Sequence, residues 1–394
     1  MIKKIEKLDD MGRGITYVNN KITFVPNALV GEEVDIKELE EHKKYNICTS
    51  FELLNESPKR CKDICKYYND CGGCSIYHMN EELELLFKKR RIEDIMLHYA
   101  GIKLDDIEII SGNMNGYRNK ITLRVKDGKL GLLKEKTNDI VKIDECLIAN
   151  SKINSLIKIL NEKIKKQDIN KIIIKTSNDE VMLGLYGKVN NIDDFKDICD
   201  SLYINDIPAT NKYITKKIGN KNYHIRLVSF FQVNDEICKK LFDEIRKIVK
   251  EIKPKRVLDL YSGVGTIGIY ISDVANEVLG VETVKEAVID AEENKKINNV
   301  KNISFINNKV ENIIDKLNGY DLIITDPPRK GLDTKTKETL KKINPKNIIY
   351  VSCNIMTLAR DIKDLDDYEL ESIKVFNMFP RTYHFESLAL LRKK

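Results

Sequence analysis

From Asn234 onward the chain alternates helical and extended patterns. The apolar runs RVLDLY, EVLGVE, ISFI, DLIITD and NIIYVS are separated by stretches of helical period, among them NDEICKKLFDEIRKIVKEI and VKEAVIDAEENKKINN. Strands buried on both faces read as continuous apolar runs, and parallel neighbours need a helical crossover between them. The pattern therefore predicts a doubly wound α/β layer with a parallel sheet. In such a sheet ligands bind outside the carboxyl ends of the strands, so residues just after each run are the candidates for chemistry.

Ahead of that layer the chain reads differently. Its 394 residues exceed one ordinary core, so a multidomain protein is expected. Residues 1 to about 56 alternate apolar and polar positions between Gly, Asn and Pro turns, which fits a small β-barrel of roughly five strands. A cysteine-rich loop follows, Ser57 to Ser75, and then a charged amphipathic helix from Asn80 to Tyr99 with Leu83, Leu86, Phe87 and Ile95 on one face. From Gly116 to about Leu227 short strands and one helix, SKINSLIKILNEKI, suggest an α+β middle domain. There is no internal repeat.

Charge excludes little. A formal net charge of +6 permits a polyanionic partner and does not by itself demonstrate one. Basic runs such as FKKRR are read as solvated helix faces. No apolar run approaches the length of a membrane span, and MIKKIEKLDDMGRG has no signal-peptide core, so a cytoplasmic protein without a membrane partner is expected.

Nine cysteines are present. Cys61, Cys65, Cys71 and Cys74 crowd one loop, and without a secretory signal disulfides are disfavoured, which leaves a metal site. CKYYNDCGGC brings Cys65, Cys71 and Cys74 together, and DECLIAN offers Cys146 as a fourth thiolate. Four thiolates suit zinc or an iron–sulfur cluster, and a single CxxC pair does not choose between them. Cys48, Cys199 and Cys238 are read as core residues.

In the α/β layer three features converge on S-adenosylmethionine. The turn in VLDLYSGVGTIG places Gly263 and Gly265 where a ligand approaches bare backbone, yet it is not GxGxxG. Glu282 ends the next strand, where a carboxylate binds a ribose diol, and DPPRKG ends the fourth. Arg329 replaces the aromatic that follows Asp-Pro-Pro in enzymes methylating exocyclic amines, so that chemistry is disfavoured. Cys353, in YVSCNIMTLARD, stands where a strand breaks into a loop, with Asn354 poised to start a helix. A thiolate there suits covalent activation of a ring carbon that is a poor nucleophile. Such a route also needs a base for the ring proton. MFPRTYHFESLAL supplies Glu386, and His384 is the rival, sharing its face if the strand alternates through both.

SCNIMTLARD, DPPRKG, FFQVN, DLYSGVGTIG and CGGC together resemble the RNA uracil-5-methyltransferases of the iron–sulfur, TRAM-domain type, along essentially the whole chain. The resemblance implies Cys353 as nucleophile and Glu386 as base. It implies Gln232, Tyr261, Glu282 and Asp326 around S-adenosylmethionine, and a [4Fe–4S] cluster on Cys65, Cys71, Cys74 and Cys146, with Cys61 spare. It implies three domains: an OB-like TRAM barrel at 1–56, an iron–sulfur and RNA-binding domain at 57–80 and 113–225, and a Rossmann-like methyltransferase domain at 81–112 and 226–394. The expected substrate is a uridine of 23S ribosomal RNA, flipped out to reach Cys353, with the barrel gripping the RNA backbone. Transfer RNA is the alternative substrate, and a non-catalytic RNA-binding protein the alternative class. A monomer is expected. Ile355 departs from the family, which usually has proline there, and this alters turn rigidity rather than chemistry.

Overall fold

A computed structural model describes residues 1–135, 137–313 and 317–394. Its contacts divide into two compact units: Met1–Ile92 with Leu132–Val141 and Phe379–Tyr383, and the remainder.

The first unit opens with strands β1 (Ile2–Lys4), β2 (Lys7–Leu8), β3 (Gly14–Val18), β4 (Lys21–Val25), β5 (Glu33–Glu41) and β6 (Tyr45–Leu53), in the order β1-β5-β6-β4-β3-β2. The ladder starts on β1 and ends on β2, two halves of one segment, so it closes on itself. The expected five strands become six because the first is interrupted at Ile5, whose side chain turns into a core with Val18, Val25, Val34, Ile36 and Cys48. Closure removes the open edges.

Helix α1 (Glu81–Ile95) follows and continues as one wide turn, Met96–Ala100. Its buried face is not purely apolar. Glu84 and Lys88 are fully buried beside Phe87 and pair at 2.7 Å, and Lys88 also donates to the Phe379 carbonyl. Glu84 accepts the Arg381 N–H, while the Arg381 carbonyl accepts the N–H groups of Ser75 and Ile76. Burial and a return hydrogen bond thus explain two charges that the apolar periodicity passed over.

The strands β8 (Lys120–Lys126), β9 (Lys129–Leu133), β10 (Ile140–Lys142), β11 (Asp168–Ser177), β12 (Glu180–Lys188), β13 (Ser201–Ile204) and β14 (Ile207–Pro208) form a sheet ordered β10-β9-β8-β11-β12-β13-β14. Helix α2 (Ser151–Lys163), capped by Asn150, the one-turn α3 (Asp193–Lys196) and the hairpin β15 (Ile214–Ile218) and β16 (Lys221–Ile225) complete this α+β region. Cys199 is half-buried rather than core, lying just past α3 with its thiol near the Phe195 carbonyl, whereas Cys48 and Cys238 are buried.

The α/β layer comprises α4 (Asp235–Ile252), β17 (Arg256–Leu260), α5 (Thr266–Tyr270), β18 (Glu277–Glu282), α6 (Lys285–Ile297), β19 (Ile303–Asn307), β20 (Leu322–Thr325), α7 (Thr334–Ile343), β21 (Asn347–Ser352), α8 (Ile355–Asp364), β22 (Tyr368–Phe376) and β23 (Glu386–Lys393). An earlier strand, β7 (Glu108–Ile110), joins its edge, giving the order β19-β18-β17-β20-β21-β23-β22-β7. β17 to β21 are mutually parallel, and β23 is antiparallel to both β21 and β22. The order reverses direction between β17 and β20, which opens a crevice at their carboxyl ends. Between β19 and β20, where the alternation predicts a helix, the described residues hold only a short turn, Val310–Asn312; residues 314–316 lie outside the described residues.

Candidate active site

Each strand delivers its functional residue to one edge of the sheet. Leu260 pairs with Val281 and with Thr325, and Thr325 with Tyr350, so Tyr261, Glu282 and Asp326 all emerge at the carboxyl ends. Tyr261 adopts φ +60°, a left-handed backbone that costs energy in a bulky residue and is concentrated at ligand sites. Gly263, at φ +53°, faces open space where a Cβ would stand, and its N–H donates to Glu282 at 3.1 Å. The other Glu282 oxygen accepts the N–H groups of Thr283 and Val284 at 2.7 and 2.8 Å. These groups suit the methyl donor: a bare turn for its adenosyl part and a positioned carboxylate for its ribose.

Gln232 is buried in the segment that enters α4. Asn119 fixes it, donating through Nδ2 to the Gln232 carbonyl at 3.1 Å and through its backbone to Val233 at 2.9 Å. Burial drives the Cys238 thiol of α4 upward; Asp235 and, less strongly, Asp326 and Glu386 add to that, and Lys216 opposes it.

Cys353 follows β21, and Glu386 begins β23. β21 ends at Ser352, which pairs with Ser387, so Cys353 is the residue just past that pair and Glu386 the one just before it, at the same end of the ladder. Glu386 is 3% exposed, and its Oε2 has no hydrogen-bond partner among the described residues. Burial lifts the Glu386 carboxyl well above the usual carboxylate range; Asp326 reinforces this and Arg329 opposes it. Asp326 keeps part of its surface open, yet the protein packed around its carboxyl raises it to about 7. Burial, then Glu386 and Asp326, push the Cys353 thiol up to about 11, and Arg329 is the cation that counters them. His384 stands before β23 begins, so strand alternation does not place it on the face of Glu386.

The loop carrying Arg329 is held by α8. Asn354 caps that helix by accepting the Met356 N–H, and its Nδ2 donates to the Arg329 carbonyl at 3.0 Å. Arg360 donates to the Lys330 and Leu332 carbonyls, and the fully buried Asp361 accepts the Leu332 N–H at 2.8 Å and the Tyr350 hydroxyl at 2.7 Å. Sequence reasoning treated Arg329 only as a missing aromatic and passed over Asp361. Its signal was an acid in a helix otherwise apolar on its inner face. Asp259 also went unassigned: it is buried, accepts the Gly268 N–H at 3.0 Å, and is raised by burial to about 7.

The family models and relatives agree with this geometry. The model for tRNA (uracil-5-)-methyltransferases matches residues 205–394, and that for the TRAM domain of tRNA (uracil(54)-C(5))-methyltransferase matches residues 1–59. An uncharacterized RNA methyltransferase of Staphylococcus epidermidis is 32% identical over 99% of this chain and 97% of its own length. Another, from Fusobacterium nucleatum, is 33% identical over 99% and 95%. The chain belongs to the RNA uracil-5-methyltransferase family. It is an S-adenosylmethionine-dependent enzyme acting on RNA, with a TRAM barrel ahead of its methyltransferase layer. The solved structure of Pyrococcus abyssi tRNA (uracil-54, C5)-methyltransferase in complex with S-adenosyl-L-homocysteine is 28% identical, with a TM-score of 0.84 over 99% of this chain and 100% of that one.

The cysteines of this methyltransferase fall in both units. Cys65, Cys71 and Cys74 are half-buried in the first unit, and Cys146 precedes α2 in the second. The Cys71 sulfur accepts the Gly73 N–H at 3.4 Å, and Gly72 lies against the Glu135 backbone with no room for a Cβ. Cys71 and Cys74 border a cavity of about 750 Å³. Among the described residues there is no group of three or more His, Cys, Asp or Glu side chains that could hold a metal ion. Likewise, among these residues no helix is long and apolar enough to cross a membrane.

Proposed function

We propose that this enzyme methylates carbon 5 of a uridine by covalent activation, with Cys353 as nucleophile and Glu386 as base. The placement of Cys353 and Glu386 at the same end of the Ser352–Ser387 pair, with a buried Glu386 oxygen that has no hydrogen-bond partner among the described residues, is the observation that carries the reading. The Cys353 thiolate adds to carbon 6 of the flipped-out base, which places an electron pair on carbon 5. The methyl donor, when bound, supplies an electrophilic sulfonium methyl to that carbon. Glu386 then takes the carbon 5 proton, and the returning electron pair expels Cys353 from carbon 6. A carboxyl raised by burial is the stronger base for that step once ionised. Arg329 offsets the charge that forms on the sulfur. Gln232, Tyr261, Glu282 and Asp326 line the donor site, Glu282 through the ribose hydroxyls.

The remaining assignments stand as proposals on sequence resemblance. They are a uridine of 23S ribosomal RNA as target, a [4Fe–4S] cluster on Cys65, Cys71, Cys74 and Cys146, and a cytoplasmic monomer of three domains with the boundaries given above. Transfer RNA is the second reading. It is favoured by the likeness to the Pyrococcus abyssi transfer RNA enzyme and by family models named for transfer RNA.

Both readings meet one experiment. The protein and S-adenosylmethionine are incubated with 5-fluorouridine-substituted ribosomal RNA fragments or transfer RNA and run on denaturing gels. Fluorine does not leave as a proton, so the adduct persists. An adduct on ribosomal RNA that disappears in Cys353→Ala supports the first reading, and one on transfer RNA alone supports the second. No adduct on either removes Cys353 as nucleophile.

A further inference from the structure

The barrel does not have the charge of a backbone clamp. Over residues 1–56, eight Lys and Arg stand against eleven Asp and Glu, so counterion release cannot be its main hold on RNA. What the barrel does have is a row of large side chains left in solvent. Tyr17 pairs with Ile22 across β3 and β4, and Ile22 pairs with Tyr45 across β4 and β6, so the three point the same way from neighbouring strands. They are 39%, 38% and 38% exposed.

The row is extended by stacking already in place. The His42 ring lies on Tyr45 at 4.5 Å and 24°, Phe24 meets Tyr45 edge-on at 5.8 Å, and the Arg13 guanidinium covers Phe24 at 4.2 Å. Charge around it is uneven. Lys21 donates to the His42 carbonyl at 3.3 Å and reaches Glu41 at 3.9 Å, and His42 contacts Glu40 at 3.0 Å. Lys43 and Lys44, next to Tyr45, are exposed and form no ion pair among the described residues. An apolar, aromatic strip ending in two uncompensated lysines suits unpaired RNA, whose bases stack while a phosphate meets the cations.

We propose that Tyr17, Ile22 and Tyr45 form a stacking platform on the barrel for an unpaired stretch of the substrate RNA, with Lys43 and Lys44 meeting its phosphates. The platform rests on the RNA-methylating activity, and it makes barrel binding depend on stacking more than on charge.

The test exploits the absence of tryptophan from the chain. In Tyr45→Trp the new indole is the sole tryptophan, and unstructured RNA oligonucleotides are expected to quench its emission in a saturable way. With Tyr17→Ala and Tyr45→Ala, RNA affinity of the full-length protein falls about tenfold per tyrosine while the slope of log affinity against log salt stays unchanged. Lys43→Ala, in contrast, lowers that slope by about 1. If the wild-type protein binds and methylates RNA but the tyrosine variants match its affinity, the platform is overturned and the activity stands. A face used for another protein gives that same result. If the wild-type protein binds no RNA, both fall.

Discussion

Cys353 and Glu386 stand at the same end of the Ser352–Ser387 pair and are opposed in demand. The thiol must ionise to attack, yet burial and two carboxyls hold it up to about 11, and Arg329 is the counterweight. Replacing Glu386 by Gln removes one source of negative charge from beside the sulfur. The midpoint of Cys353 alkylation, followed by mass spectrometry of its peptide across pH, is then expected below about 11. Turnover stops in the same variant after the methyl has moved, because nothing takes the carbon 5 proton, and the methylated covalent RNA adduct accumulates. An unmoved alkylation midpoint would show that the carboxyl does not face the thiol. Cys353 was legible because a lone thiol at a strand end after DPPRKG has few structural reasons to be there. The height of its pKa was not, because it depends on which carboxyls the sheet brings alongside.

At the scale of elements, α8 works as a bracket. Its cap Asn354 follows the nucleophile and holds the Arg329 carbonyl, and its buried Asp361 gathers the Leu332 N–H and the Tyr350 hydroxyl. Lys337 also reaches Asp361, at 3.4 Å. Asp361→Ala leaves those donors without an acceptor and is expected to destabilise the protein by about 3 kcal/mol, measured by urea unfolding. The 5-fluorouridine adduct forms more slowly as the 326–331 loop loosens. Stability within about 0.5 kcal/mol of wild type would refute the bracket. Helix α8 itself was legible from Asn354 and the apolar spacing after it. The partners of Asp361 were not, since they come from other elements and leave no local pattern.

Over the whole molecule, the proposed cluster ligands lie in the chain well ahead of the methyltransferase layer. Cys71→Ser in the full-length protein is expected to lose iron and acid-labile sulfide, and with them any visible absorbance; stoichiometric zinc in the wild type would end the iron–sulfur assignment. Sequence by itself determined the α/β alternation, the barrel, and Cys353, Glu282 and Asp326 at strand ends. Each is a local pattern: apolar period, turn residues, or a reactive group where a strand stops. Tertiary structure alone decided that β7, from far upstream, finishes the sheet edge. It also decided that Glu84 and Lys88 neutralise each other inside α1, that His384 precedes the strand carrying Glu386, and that Tyr17, Ile22 and Tyr45 share a face. The i,i+4 spacing of Glu84 and Lys88 is local, but their burial, like the other three features, depends on the rest of the fold. Pairing register and burial are set by segments distant in the chain, so the residues involved carry no mark of their partners until the strands are laid side by side.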